Sequence, residues 1–229
     1  MIAADSGTTY TKIISTQKAI PFLSEFLVEE KKDKFYYVIQ SSKIREIIEK
    51  NKITIDKSCG HMSNSTENEI IALANGFRKS EYDWKNSLIL DLGSRDAKWV
   101  RFKNGKFKDM DWNTSCASST GATIEMLLKF YGVNASDLIF NSEKYTVNCG
   151  IFGFEKIMDD ISNGTSADVA ISKFIHGIAF NAWNFAKKPE KLYLSGGFCN
   201  NKCFVESLKQ YCEVELTGRF VLCEGLLNG

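Results

Sequence analysis

One pattern occurs twice in this sequence and constrains its fold more than any other feature. The pattern is an acid, any residue, a glycine and, seven positions after the acid, a lysine; its copies are residues 5–12 and 91–98. A buried-strand pattern precedes each acid and a second strand pattern ends each copy, which predicts a β-hairpin in both places. The duplication predicts an α/β fold whose two similar halves, each with a hairpin and helices, face each other across a cleft.

The first hairpin turn carries groups that suit a phosphate ligand. Gly7 lets backbone N–H groups approach a phosphate, Thr8 and Thr9 supply hydroxyls, and Asp5 can hold Mg²⁺ through water. These residue types are also ordinary in turns, so one copy alone would indicate no more than a turn. Because the second copy repeats the acid and the glycine, the pair favours a phosphate site.

Apolar spacing predicts the remaining strands and helices. The predicted strands are 35–39, 53–55, 87–90, 99–102, 106–110, 192–194 and 213–216, and the predicted helices are 41–51, 155–161, 167–186 and a last piece from residue 222. Residues 66–69, Thr-Glu-Asn-Glu, have the spacing of a capping box, which predicts a helix that begins there.

A polar stretch at 79–86 marks a predicted boundary between two lobes. The N-terminal lobe, 1–84, contains the first copy of the repeated pattern. The C-terminal lobe, 85–229, contains the second copy, Cys116, Cys149 and a late Gly-Gly turn.

The stretch 113–131 combines a cysteine with the start of a predicted helix. Small and hydroxyl residues surround Cys116, and apolar residues at helical spacing follow as far as Tyr131. The unpaired N–H groups and positive dipole end of a helix start favour a thiolate or a larger anion. Cys149 stands in a similar position before a second predicted helix. A structural cysteine beside a capped helix is the alternative that this stretch leaves open.

A late Gly-Gly turn, Gly196-Gly197, lies between a predicted strand and a predicted helix. It would let a flat ring or a ribose approach the backbone, although a plain connecting turn explains it equally well. His176 lies among apolar neighbours, and we predict that it is a buried packing residue rather than a catalyst.

Composition excludes several classes of partner and location. The formal net charge of +1 gives no reason to propose nucleic acid or a membrane surface as partner. The sequence has no run of 18 apolar residues and no basic segment followed by an apolar one at its N-terminus, so we expect neither a membrane span nor a secretory signal, and a cytoplasmic protein. Seven cysteines without a Cys-x-x-Cys pair are expected to be reduced thiols or metal ligands.

The paired hairpins and the Gly-Gly turn resemble the actin, Hsp70 and sugar-kinase superfamily of ATPases, which have a two-lobed, actin-like (ribonuclease H-like) fold. More closely, the sequence resembles the ATP-dependent activators of 2-hydroxyacyl-CoA dehydratases and benzoyl-CoA reductases. Asp-Leu-Gly-Ser-Arg-Asp-Ala-Lys at 91–98 is similar to their Asp-Ile-Gly-Gly-Gln-Asp-Ala-Lys. Asn-Thr-Ser-Cys-Ala-Ser-Ser-Thr-Gly at 113–121 is similar to their Asn-Asp-Lys-Cys-Ala-Ala-Gly-Thr-Gly. Nearly the whole chain is covered, with departures at Ser94, Arg95 and Ser119.

The resemblance implies roles for the residues in each matching segment. Asp5 and Asp91 would be the catalytic acids, which manage Mg²⁺ and the attacking water. Cys116 and Cys149 would be two of the four thiolate ligands of a [4Fe–4S] cluster shared between the subunits of a homodimer. The remaining residues would contact ATP, and they are Gly7, Thr8, Thr9, Lys12, Gly93, Ser94, Asp96, Gly196, Gly197 and Asn200.

The resemblance also implies an activity and partners. The protein would be an ATPase that passes a low-potential electron from its cluster to a 2-hydroxyacyl-CoA dehydratase-like or benzoyl-CoA reductase-like acceptor, after receiving it from a ferredoxin- or flavodoxin-type donor. One alternative is a small-molecule kinase of the same superfamily, for which Asp96 would be the base. The other is a nucleotide-binding regulatory module without a cluster.

Overall fold

The computed structural model describes residues 1–16, 18–61, 65–113, 121–147 and 150–228. The chain divides into two compact units. Unit 1 consists of Met1–Asn86, Phe102–Lys108 and Arg219–Gly229, and unit 2 consists of Ser87–Arg101 and Asp109–Gly218.

The described residues form the following strands and helices in chain order. The strands are β1 Ile2–Ser6, β2 Tyr10–Thr16, β3 Leu27–Lys31, β4 Lys34–Gln40, β5 Lys57–Gly60, β6 Leu88–Leu92, β7 Ala97–Lys103, β8 Lys106–Asn113, β9 Lys191–Gly196 and β10 Glu213–Gly218. The helices are α1 Ser41–Asn51, α2 Glu69–Arg78, α3 Gly121–Tyr131, α4 Gly150–Ser162, α5 Ala167–Phe185, α6 Lys202–Leu208 and α7 Val221–Asn228.

The first sheet contains the first predicted hairpin, which is confirmed. Its strand order is β3-β4-β2-β1-β5, with β1 antiparallel to β2 and parallel to β5. Alternate residues of the hairpin strands, such as Ala4 and Ile13, are buried in one apolar cluster with Tyr37 of β4 and Ile44 of α1. The burial of one sheet face against α1 therefore sets the register of the hairpin.

The second sheet repeats this arrangement, and the second predicted hairpin is also confirmed. Its strand order is β10-β9-β6-β7-β8, with β6 antiparallel to β7 and parallel to β9. The order β5-β1-β2-β4 in the first sheet thus corresponds to β9-β6-β7-β8 in the second. Every residue of β6 is buried, as expected for a strand between two neighbours that is covered on both faces.

The core of unit 2 is built from this sheet and the helices α3 to α6. Its largest fully buried side chains are Trp99, Phe174 and Phe204. His176 of α5 is buried as predicted, and both of its ring nitrogens form hydrogen bonds, Nδ1 with the Asn141 carbonyl oxygen at 2.8 Å and Nε2 with the Tyr211 hydroxyl at 2.8 Å. Those bonds satisfy both nitrogens of a polar ring that is buried among apolar side chains.

The C-terminal helix α7 packs on α2 in unit 1 with the two backbones in contact. A Cβ atom on Gly76 would overlap the Val221 carbonyl oxygen, and a Cβ atom on Gly225 would overlap the Ala72 carbonyl oxygen. The two contacts are one helical turn apart on both helices. The helices therefore approach more closely than larger side chains at these positions would permit.

The prediction of a strand at 53–55 was wrong, and this segment is a loop before β5. Lys52 adopts a left-handed conformation with φ 50° at the end of α1, and the Ile53 N–H donates to the Ile48 carbonyl oxygen at 3.1 Å. Ile53 and Ile55 still pack against the core. Their apolar spacing reflected burial, but the backbone at Ile53 is used to cap the helix.

The prediction of a capping box at 66–69, with Thr66 as the cap of the helix, was wrong. The cap of α2 is Asn68, whose side chain accepts a hydrogen bond from the Ile70 N–H at 2.8 Å. Thr66 instead binds the backbone of Ser58, accepting from its N–H at 2.9 Å. A long-range contact to β5 therefore removes Thr66 from the helix start.

No helix in the described part of the chain is long and apolar enough to span a bilayer.

The partly buried thiol of Cys212 in unit 2 makes the stability of the protein depend on pH. Burial raises the pKa of Cys212 from an ordinary value of 9.0 to about 11. Because the folded pKa lies above the unfolded one, the stability from this thiol is fully present below pH 9 and is lost as the pH rises through about 11. We expect Cys212→Ala to reduce the fall in the free energy of unfolding across this window, as measured by urea titration. Equal falls in the two proteins would contradict this.

Candidate functional site

Each hairpin places its acid opposite its lysine. In unit 1, Asp5 is the register partner of Lys12, and the Nζ–Oδ2 distance is 2.9 Å. In unit 2, Asp91 is the register partner of Lys98, and the Nζ–Oδ2 distance is 3.5 Å. Both acids are buried, with 5% and 6% of their surface exposed. A buried carboxylate needs a partner of opposite charge, and the seven-residue spacing of the repeat supplies it.

The turn of the first hairpin is held in place by the start of α1. The Ser41 hydroxyl donates to the Gly7 carbonyl oxygen at 2.6 Å, and the Ser41 N–H donates to the Thr9 carbonyl oxygen at 2.9 Å. A Cβ atom on Gly7 would lie 2.8 Å from the Tyr10 carbonyl oxygen and 3.3 Å from Lys12 Nζ. Two hydrogen bonds therefore hold the turn, and its packing suits a residue without a side chain.

The end of β5 lies against the end of β1. Gly60 has φ 85°, and a Cβ atom there would overlap the Ser6 carbonyl oxygen. The next residue, His61, donates its N–H to that oxygen at 2.8 Å, and its Nε2 lies 3.3 Å from Thr8 Oγ1. His61 thus contacts Thr8, a predicted phosphate-binding residue. The sequence analysis did not predict His61 as part of the site.

In unit 2, Gly196 approaches the neighbouring strand as closely as Gly60 does in unit 1. It has φ 92°, and a Cβ atom there would overlap the Leu92 carbonyl oxygen, one residue after Asp91. Gly60 is therefore the structural counterpart of Gly196. The sequence contained the signal, because each glycine follows a small polar residue at a strand end, in Ser58-Cys59-Gly60 and in Leu194-Ser195-Gly196.

The turn of the second hairpin is tied to the start of α3. The N–H groups of Gly121 and Ala122 donate to the carbonyl oxygens of Gly93 and Ser94, at 3.4 and 2.9 Å. A Cβ atom on Gly121 would lie 3.3 Å from Ser94 Cα. Two N–H groups that a helix start normally leaves unpaired are thus used by the turn. The second hairpin turn is therefore hydrogen-bonded directly to the start of α3.

Lys98 lies between two carboxylates. Its Nζ is 3.5 Å from Asp91 Oδ2 and 3.2 Å from Asp96 Oδ2, and it lies 5.4 Å from the centre of the Trp112 ring. Trp112 Nε1 donates to Asp96 Oδ2 at 2.7 Å. Two carboxylates facing one ammonium leave a formal charge of −1, which favours a cation beside Asp91.

The Gly-Gly turn at the end of β9 is open. A Cβ atom on Gly197 would meet nothing within 4 Å, and Gly197 and Asn200 are exposed in a short 3-10 helix. Gly196 lies against Asp91, because its Cβ atom would be 3.1 Å from Asp91 Oδ1. This turn and the acid of β6 therefore belong to one surface of unit 2.

Cys116 and Cys149 lie outside the described residues. In sequence, Cys149 directly precedes α4 and Cys116 comes five positions before α3. Among the described residues, no group of three or more His, Cys, Asp and Glu side chains is placed to hold a metal. The two cysteines therefore remain predicted cluster ligands.

The chain is similar in sequence to two curated activators. It is 22% identical over 147 residues to the (R)-2-hydroxyglutaryl-CoA dehydratase activating ATPase of Acidaminococcus fermentans, with 60% of this chain and 56% of that protein covered. It is 21% identical over 138 residues to the 2-hydroxyisocaproyl-CoA dehydratase activator of Clostridioides difficile, with 56% and 52% covered. The resemblance to the dehydratase activators is confirmed. The match spans about half the length of these relatives. No family model matches the chain.

Solved structures of the same two activators share the fold. The Clostridium difficile activator, solved with bound ADPNP, has a TM-score of 0.73 at 16% identity, with 98% of this chain and 91% of that chain covered. Component A of the Acidaminococcus fermentans dehydratase has a TM-score of 0.71 at 16% identity, with 98% and 95% covered. The ethanolamine utilization protein EutJ of Carboxydothermus hydrogenoformans follows at 0.56 and 11% identity, with 100% and 89% covered. The predicted α/β fold with two similar halves of hairpin and helices is thereby confirmed.

Proposed function

We propose that this protein is an ATP-dependent activator, which couples ATP hydrolysis to the transfer of a low-potential electron to a partner enzyme that acts on acyl-CoA substrates. The observation that carries the proposal is the buried acid–lysine pair, which occurs at the same position of the hairpin in each unit. The similarity to two activators of acyl-CoA dehydratases supports the kind of partner.

Asp5 and Asp91 are the proposed catalytic acids. The formal charge of −1 at Asp91, Asp96 and Lys98 suits Mg²⁺, which commonly takes one or two carboxylates together with water and phosphate oxygens. An acid here would orient the water whose oxygen bonds to the γ-phosphorus. The bond from that phosphorus to the bridging oxygen breaks, and ADP and inorganic phosphate leave.

The other predicted nucleotide contacts keep their roles in this proposal. Gly7, Thr8, Thr9 and Lys12 in unit 1 would bind phosphates, as would Gly93, Ser94 and Asp96 in unit 2. Gly196, Gly197 and Asn200 would bind the adenosine part, for which the open surface at Gly197 leaves room. Turns that are already held by hydrogen bonds lower the entropic cost of binding a flexible triphosphate.

Cys116 and Cys149 of two subunits are the proposed ligands of one [4Fe–4S] cluster. When bound, such a cluster supplies a one-electron carrier. The hydrogen bonds from Gly121 and Ala122 to the second hairpin turn support coupling, because they join α3, which follows Cys116, to the proposed phosphate residues Gly93 and Ser94. The proposed donor is a ferredoxin or flavodoxin, and the proposed location is the cytoplasm.

Anaerobic purification tests this proposal. We expect a brown homodimer with about four irons and four sulfides, as one shared cubane cluster requires. Cys116→Ser and Cys149→Ser should each remove the iron, whereas the matched control Cys199→Ser, at a partly buried cysteine of unit 2, should retain it. The wild type should release phosphate from ATP.

Other outcomes would point elsewhere. A colourless, iron-free monomer after anaerobic reconstitution would contradict the cluster and the dimer. Transfer of the γ-phosphoryl group to a sugar or acid would favour a kinase. That outcome is disfavoured by Asp96, its proposed base, since Lys98 and Trp112 both bind one of its oxygens.

A further inference from the structure

Each proposed catalytic acid has a second neighbour across its strand from the lysine. Cys59 of β5 is the parallel register partner of Asp5, and Ser195 of β9 is the parallel register partner of Asp91. Register partners project from the same face of a sheet. Each carboxylate is therefore flanked by a lysine on one side and by a small thiol or hydroxyl donor on the other.

In unit 1 the donor already reaches the acid. Cys59 is fully buried, and its Sγ donates to Asp5 Oδ1 at 3.8 Å. Lys12 binds the other oxygen, Oδ2, at 2.9 Å. Because each oxygen of Asp5 has its own donor, rotation of the carboxylate is opposed on both sides.

In unit 2, Ser195 does not form the corresponding hydrogen bond to Asp91. Ser195 is fully buried, and its Oγ finds no hydrogen-bond partner among the described residues. A buried hydroxyl without a partner is unfavourable, because folding removes its bonds to water. Asp91 Oδ1 lies against the same strand, 3.1 Å from the position of a Cβ atom on Gly196. A carbon–oxygen bond is shorter than a carbon–sulfur bond, so a hydroxyl reaches less far than the thiol of Cys59.

We propose that Cys59 and Ser195 are positioning residues, which orient the carboxylates of Asp5 and Asp91 for ATP hydrolysis. The inference rests on the proposed function. Cys59 donates to Asp5 Oδ1, and Ser195 closes its bond to Asp91 Oδ1 when Mg²⁺·ATP is bound.

Steady-state kinetics distinguish positioning from direct contact with the nucleotide. Ser195→Ala should lower kcat about tenfold, as expected for the loss of one hydrogen bond to a charged group, and leave KM for ATP unchanged. Ser195→Cys should recover most of kcat, because the longer thiol restores the geometry seen at Cys59. A raised KM with unchanged kcat would overturn the proposal in favour of a nucleotide ligand.

A double-mutant cycle separates positioning from a structural role. In the Asp91→Asn background, Ser195→Ala should cause almost no further loss of kcat, because the group that it orients is gone. Losses that multiply in the double variant would overturn the proposal. Cys59→Ala with Asp5→Asn gives the same test in unit 1, and Cys59→Ser should retain more kcat than Cys59→Ala.

Infrared spectroscopy tests the contact in unit 1 without turnover. The S–H stretch of Cys59, isolated as the difference between wild type and Cys59→Ser, should shift when Asp5→Asn replaces the charged acceptor. An unshifted band would overturn the contact. A wild type that neither binds Mg²⁺·ADPNP in calorimetry nor hydrolyses ATP would overturn the proposed function as well. Normal hydrolysis in all the Cys59 and Ser195 variants would overturn the positioning role alone.

Discussion

Asp91→Asn is expected to lower the rate of ATP hydrolysis about 10²–10³-fold, the range found when one preorganised electrostatic group is removed from a reaction site. Asparagine has the same shape but no charge, so the site would lose its excess negative charge beside Lys98. Lys98 keeps a partner in Asp96, at 3.2 Å, and the fold should persist. Mg²⁺·ADPNP binding should weaken with the loss of a carboxylate ligand.

Phosphate release and circular dichroism measure this result together. Glu190→Gln is a matched control in unit 2, because it removes one charge from an exposed acid that forms no part of the proposed site. Asp5→Asn should behave like Asp91→Asn. A variant at Asp91 that hydrolyses ATP within a few-fold of the wild-type rate would exclude this acid from the chemistry.

Gly225→Ala is expected to destabilise the protein by about 3 kcal/mol, at the upper end of the cost of overpacking a well-packed interface. The new methyl group would overlap the Ala72 carbonyl oxygen of α2. That neighbour is backbone within a helix, so it cannot move aside as a side chain can, and α7 must separate from α2. A loss of this size lowers the Tm by about 6–12 °C in a domain of this length.

Thermal unfolding followed by circular dichroism gives the measurement. Gly197→Ala is the matched control for folding, because its new methyl group would meet nothing within 4 Å. Gly76→Ala should resemble Gly225→Ala, since its methyl group would overlap the Val221 carbonyl oxygen. Equal Tm values for Gly225→Ala and wild type would show that α7 does not pack as described.

The residues of the two hairpins were predictable because their determinants are local. Alternating burial, a turn glycine and a fixed distance from acid to lysine define a hairpin whatever surrounds it. The same local rules correctly predicted α1 and α5. They failed at 53–55, where the Ile53 N–H caps α1, and at Thr66, whose side chain binds the backbone of Ser58 in β5.

The sequence by itself determined the repeat, both hairpins and the places of Asp5 and Asp91 in them, because these depend on patterns within a dozen residues. Only the tertiary structure revealed that β5 and β9 bring Cys59 and Ser195 beside those acids. Parallel pairing joins segments about 54 and 104 positions apart through crossover connections, and no short pattern records which residue will lie opposite. The packing of α7 on α2 was likewise revealed only by the tertiary structure. No feature of the sequence distinguishes a glycine at a helix contact from any other glycine.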